Sequence, residues 1–235
     1  MTTFLSTMPA AYAAAFSAQE AAEHARIVGR RAARLAHAES VKTASGSCVC
    51  VVADDRPGLL SLVTDALLAQ GVGIRSGVAF CRQRPDGRAE AVDFFVLERP
   101  GSDVGVELEL DAADLAAFLQ SLSELISEDI QAIARVSSAS VPPIPKSRVY
   151  FELEALRRGE QVLLVEAPDS PGLLHAITSA LYSQAVRILS CQIGTEGGVA
   201  RDRFEVASSD GRPLTSVQLC DVQLAILDAL PQRRS

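Results

Sequence analysis

Two short runs in this chain carry the residue types needed to hold a small zwitterion. One is Asp54-Asp55-Arg56-Pro57-Gly58-Leu59-Leu60, the other Pro168-Asp169-Ser170-Pro171-Gly172-Leu173-Leu174. In each, an apolar run leads to an acid, then to Pro-Gly, then to a helical pattern. Glycine in such a turn leaves backbone N–H groups open to a ligand. The helix start behind it carries partial positive charge, which suits a carboxylate. Asp55 or Asp169 then offers an acceptor for an ammonium group. The plainer role is structural, with Asp capping the helix and Pro-Gly shaping the turn. His175 follows the second Leu pair, where the first run has Ser61, and reads first as a surface helical residue.

The two runs belong to a repeat. Residues 54–76 and 168–190, aligned without a gap at an offset of 114, agree at 12 of 23 positions. Agreement at that level describes one unit and its duplicate, so the 235 residues divide into two ordinary domains.

Composition narrows the function. A net charge of −7 argues against nucleic acid, because a phosphate backbone asks for a basic face. No apolar run approaches the roughly 20 residues of a membrane span, and the N-terminus lacks the pattern of a secretory signal, so a cytoplasmic protein is expected. Cys48, Cys50, Cys81, Cys191 and Cys220 are an odd set, which a complete disulfide framework cannot use. The Cys48/Cys50 pair matches Val162 and Leu164 at the repeat offset, so both thiols read as small hydrophobes on one strand face and not as metal ligands. Neither a phosphate-binding loop, a nucleophile elbow nor a His-Glu metal motif occurs. The expectation is a non-catalytic protein without cofactor or metal.

The elements that must position the two turns follow from periodicity. Residues 10–38 are Ala-rich with scattered charge and read as one helix with a thin apolar side, Tyr12, Phe16, Ile27, Val28 and Leu35. The first unit reads strand, helix 59–70, strand, Asp86-Gly87 turn, strand, helix 111–126 and a last strand at 129–136. A Ser- and Pro-rich linker covers 138–147. The second unit ends after its second helix, so a leading strand at 148–156, antiparallel to 161–167, is expected to complete its sheet. The expected class is α+β, with a ferredoxin-like βαββαβ unit followed by the same unit circularly shifted to ββαββα. The expected boundaries are 1–44 for a helical extension, 45–137 for the first unit and 148–235 for the second.

Asp-x-Pro-Gly-Leu-Leu, a helix, then an Ile-x-Ser strand resembles the ACT domain, an amino-acid-sensing module. The second copy also keeps Ile193-Gly194-Thr195, Asp202-x-Phe204 and Asp210-Gly211-x-Pro213-Leu214, and is similar to the C-terminal tandem ACT region of the bacterial uridylyltransferase/uridylyl-removing enzymes. The first copy keeps Asp93-x-Phe95 but loses the Gly-Thr pair. The likeness covers about residues 46–230, without the nucleotidyltransferase half of those enzymes. It implies a regulatory protein that senses an amino acid through Asp55, Gly58, Leu59, Leu60 and Ile74 in the first copy. In the second copy the implied residues are Asp169, Gly172, Leu173, Leu174, His175, Ile188 and Ser190. A partner enzyme or a homodimer would receive the signal. The alternative is a ligand-independent pairing module or a regulatory subunit of a separate enzyme.

Overall fold

The computed structural model describes residues 2–43, 46–99, 107–128 and 147–230. Its centre is one eight-stranded antiparallel sheet, in the order β1-β2-β4-β3-β7-β8-β6-β5. The first half runs β1 (Ala36–Thr43), β2 (Gly46–Asp54), α4 (Leu59–Ala69), β3 (Gly73–Gln83), β4 (Ala89–Glu98) and α5 (Ala112–Ser127). The second half runs β5 (Arg148–Phe151), α6 (Leu153–Arg157), β6 (Val162–Pro168), α7 (Leu173–Ser183), β7 (Val186–Glu196), β8 (Val199–Ser208) and α8 (Ser216–Ala229). Ahead of both lie α1 (Thr2–Leu5), α2 (Ala10–Ala15) and α3 (Ala18–Arg31). Among the described residues no helix is long and apolar enough to cross a membrane.

Two expectations need correction. The helix expected over 10–38 is interrupted and then stops. Phe16 is extended at the end of α2, and Ser17 starts α3 afresh with a capping box to Glu20. After Arg31, Ala32 takes a positive φ of 49° and the chain turns into β1. β1 pairs along its whole length with β2, from Ala36 opposite Ala53 to Thr43 opposite Gly46. Ala-rich sequence with scattered charge fits a helix by propensity, but the hydrogen bonds offered by the open edge of β2 override so weak a preference. In consequence the described part of the first half also runs ββαββα, like the second, with β1 at the edge expected for strand 129–136. That segment lies outside the described residues, as does most of the linker. In the second half the leading strand pairs with β6 as expected, but over four residues only, before the chain coils into α6.

The two sheet faces are covered differently. Helices α4, α5, α7 and α8 form one layer, and Val49, Val51 and Ala53 of β2 face it together with Phe95, Leu163 and Phe204. On the opposite face of the first half, Cys48, Cys50, Val52, Phe80, Val92 and Phe94 pack under Phe4, Tyr12, Ala21 and Ile27. Strand β2 is therefore apolar on both sides, which is why SCVCVVA reads as a continuous hydrophobic run. Each large side chain buried this way contributes roughly 1.5–3 kcal/mol. Arg31 pins the N-terminal layer, with Nη1 at 2.8 Å from both Asp54 and Glu90. Glu90 also accepts from Arg82 Nε at 2.7 Å, and Arg82 donates to Thr7 at 3.0 Å. In the second half the residues at the places of Val92 and Phe94 are Arg201 and Arg203, whose side chains are partly exposed.

Candidate functional site

The two halves meet edge to edge. β3 and β7 pair antiparallel from Ser76 opposite Gly194 to Phe80 opposite Ser190. Val78 pairs with Gln192, its own counterpart at the repeat offset, since 192 − 78 = 114. One layer above, Thr64 Oγ1 lies 3.5 Å from Thr178 Oγ1, again counterparts because 178 − 64 = 114. A pseudo-two-fold axis thus passes through the seam, between α4 and α7 and between β3 and β7. It crosses the halves over each other: the turn of each copy faces the helix end and strand start of the other.

Both turns have the same backbone. Gly58 (φ 79°, ψ −1°) and Gly172 (φ 80°, ψ 2°) stand in the left-handed region directly before α4 and α7. Only glycine takes that conformation without strain. The environments differ. A Cβ on Gly58 would sit 2.9 Å from the Tyr182 ring, whereas one on Gly172 would meet only Leu68 Cδ2 at 3.5 Å. Tyr182 and Leu68 are counterparts, each reaching the other copy's turn.

The first half of the seam is closed. Arg187 Nη2 lies 2.5 Å from Asp55 Oδ2, and Cys81 Sγ donates to the same oxygen at 2.9 Å. Burial pushes the Cys81 thiol up to about 12, helped by its bond to Asp55, and the bond to Asp55 holds Arg187 above its ordinary value. The cavity left there is about 40 Å³, space for a few waters at most. The second half is open, with a cavity of about 210 Å³ between the Asp169–His175 turn and the α4–β3 corner. A cavity of about 150 Å³ already takes a benzene-sized molecule.

Asp202 lies in the wall of the open cavity. It is 2% exposed and its Oδ1 accepts from the Gly194 amide at 3.4 Å. Burial, reinforced by the nearby Asp169 charge, pushes its carboxyl up to about 7. Its counterpart Asp93 is buried beside the closed cavity and is likewise shifted well upward, chiefly by burial.

The site residues named from sequence are brought together, but in a crossed pairing. Asp55, Gly58, Leu59 and Leu60 share the closed cavity with Ile188 and Ser190 of the second copy. Asp169, Gly172, Leu173, Leu174 and His175 share the open one with Ile74 of the first. His175 is half-buried between α4 and α7. Its Nδ1 lies 3.3 Å from Thr64 Oγ1 and from the Ser61 carbonyl, and its Nε2 lies 3.4 Å from Ser179 Oγ. Sequence reasoning missed Arg187, Tyr182 and Cys81 in one cavity, and Gly73, Leu68 and Glu98 in the other. The signal for four of them was the ungapped alignment itself, where Arg187 stands against Gly73 and Tyr182 against Leu68.

No family model matches the chain. Among curated proteins it is 29% identical, over 90% of its length, to the bifunctional uridylyltransferase/uridylyl-removing enzyme of Phenylobacterium zucineum, and covers 22% of that enzyme. It is 31% identical, over 77% of its length, to the enzyme of the same name from Xanthomonas campestris pv. campestris strain B100, and covers 20% of it. The chain thus spans about a fifth of the length of the curated relatives it matches. A solved structure of an unknown protein from Galdieria sulphuraria aligns at 18% identity over 76% of this chain and 89% of its own, with a TM-score of 0.21, too low to bear on the fold. Over most of its length the chain is thus similar to one part of the bifunctional uridylyltransferase/uridylyl-removing enzymes, in keeping with its resemblance to tandem ACT repeats.

Proposed function

We propose that the protein is a regulatory sensor without catalysis of its own, and that it binds one small amino acid in the open half of its seam. The observation that carries this reading is the cavity of about 210 Å³ walled by both units. The start of α7, which no side chain caps, suits a carboxylate on the ligand, and Asp169 suits a positive group on it. Because one wall is the second unit's turn and the other the first unit's α4–β3 corner, an occupant binds the halves to each other. A ligand can shift a conformational equilibrium only through such differential contact. The signal would pass in the cytoplasm to a partner enzyme or through a homodimer. The N-terminal helices, whose apolar side covers their own sheet, do not supply that interface.

A second reading, a ligand-independent pairing module, draws support from the closed half, where Arg187 and Asp55 join the units directly. Thermal melts against the twenty amino acids separate the two. A ligand binding only the native state at 100-fold excess over Kd adds about 2.7 kcal/mol of stability. A clear rise in melting temperature with one or a few amino acids is the expected result. Twenty unchanged melts would favour the pairing module.

A further inference from the structure

The two halves of the seam differ by one cation. In the closed half, Arg187 extends from the start of β7 across to Asp55. In the open half the residue at Arg187's place is Gly73, and the residue at Tyr182's place is Leu68. The carboxylate has been kept while its guanidinium partner is missing. Asp169 makes no side-chain hydrogen bond or ion pair with the described residues. No Lys or Arg lines the open cavity among them, whereas Glu98 and Asp202 add two further acids.

Those acids are poorly satisfied. Asp202 has a single amide contact, at 3.4 Å. Ser170 Oγ, beside Asp169, is buried and has no partner among the described residues. Buried polar groups ordinarily find partners, and each exception calls for one. A positive group in this cavity would face three carboxyls and no competing cation. An acidic ligand would meet the same three carboxyls as repulsion, which is selection against the wrong charge.

We infer that the open cavity binds a small molecule with an amine or guanidinium head on a slender stem, its head on Asp169 as the guanidinium of Arg187 sits on Asp55. The inference rests on the binding reading above and adds the ligand's chemical class. Arg187 acts as a built-in stand-in that keeps the first half closed, so the chain holds one ligand and not two. A stem of arginine length would lie in the space that the Arg187 chain fills on the other side, space that Gly73 leaves vacant. The same residue therefore decides both occupancy and charge preference at each half.

The test is calorimetric titration of the full-length protein with L-arginine, agmatine and L-citrulline, the last an uncharged isostere of arginine. L-arginine and agmatine should bind at least tenfold more tightly than citrulline. Asp169→Asn should weaken arginine binding at least tenfold while leaving the melting temperature of the free protein unchanged. Citrulline equal to arginine, or full affinity in Asp169→Asn, overturns the inference. Binding of leucine or glutamine with arginine silent also overturns it, yet leaves the amino-acid sensor standing. Silence from all twenty amino acids and agmatine removes both.

Discussion

Arg187 Nη2 lies 2.5 Å from Asp55 Oδ2, a contact that spans the two copies and has no equivalent among the described residues across the pseudo-two-fold axis, where Gly73 and Asp169 line one cavity. It ties the start of β7 to the first copy's turn and leaves a cavity of about 40 Å³ there. Asp55 is largely buried and Arg187 partly so. Removing the cation by Arg187→Gly leaves a desolvated carboxylate with Cys81 as its one remaining side-chain partner among the described residues. A charged hydrogen bond of this kind is worth about 2 kcal/mol. Urea unfolding should therefore show a loss near that size for Arg187→Gly, and double-mutant cycles with Asp55→Ala should show coupling between the two positions.

The turn glycines should be unequal. Replacing either by Ala forces a left-handed backbone on a side chain, a cost of about 1–2 kcal/mol. Gly58→Ala adds a Cβ 2.9 Å from the Tyr182 ring, while Gly172→Ala has 3.5 Å to Leu68. Thermal melts should place Gly58→Ala below Gly172→Ala. Equal losses would show that Tyr182 yields without cost.

Ligand affinity should depend on pH through Asp202. Its carboxyl, raised to about 7, is neutral in part of the molecules at neutral pH. A cation in the cavity favours the ionised form, so affinity for L-arginine should rise as pH goes from 6 to 8, and Asp202→Asn should flatten that rise. Asp169, Glu98 and His175 line the same space, which makes the Asn variant the necessary control. In the free protein the sign is opposite. With a folded value above the ordinary 3.8, the neutral carboxyl's stabilising contribution is full below about pH 3.8 and is lost as pH rises through about 7.

The N-terminal layer has its own acid sensitivity. His24 is fully buried, its Nδ1 2.6 Å from the Tyr12 hydroxyl and its ring edge-on to Phe16 and tilted against Phe94. Burial lowers its pKa to about 4. The unfolded chain takes up a proton near 6.5 that the folded one refuses, so stability should fall as pH drops from 6.5 toward 4. His24→Phe should blunt that fall. A chain starting at Ala36 lacks the layer altogether and exposes Cys50, Val52, Phe80 and Phe94, so light scattering should show it self-associating.

The repeat made the duplicated unit, its turns and most helices legible, because a hydrophobic face at helical spacing survives in the sequence. The alternating faces of β2 were legible too: Cys48 and Cys50 sit where their counterparts Val162 and Leu164 predict. Strand β1 was not, since Ala36–Thr43 has weak β-propensity and owes its state to the open edge of β2. The crossed pairing of the sites was also hidden. Nothing local to Asp169 says that its cavity is completed by Gly73 and Leu68, because that depends on how two sheets join. The difference between Arg187 and Gly73 was visible in the alignment, but it gains meaning only once the seam places each against an aspartate.

The most direct measurement is the stoichiometry of binding to full-length protein and to Gly73→Arg, by calorimetric titration with L-arginine or with whichever amino acid shifts the melt most. Gly73→Arg rebuilds in the open half the guanidinium that closes the other, and should pair with Asp169. The account predicts one ligand per chain in the native protein and none in the variant, with the fold intact by circular dichroism. Two ligands per chain, or undiminished binding in a folded Gly73→Arg protein, would contradict it.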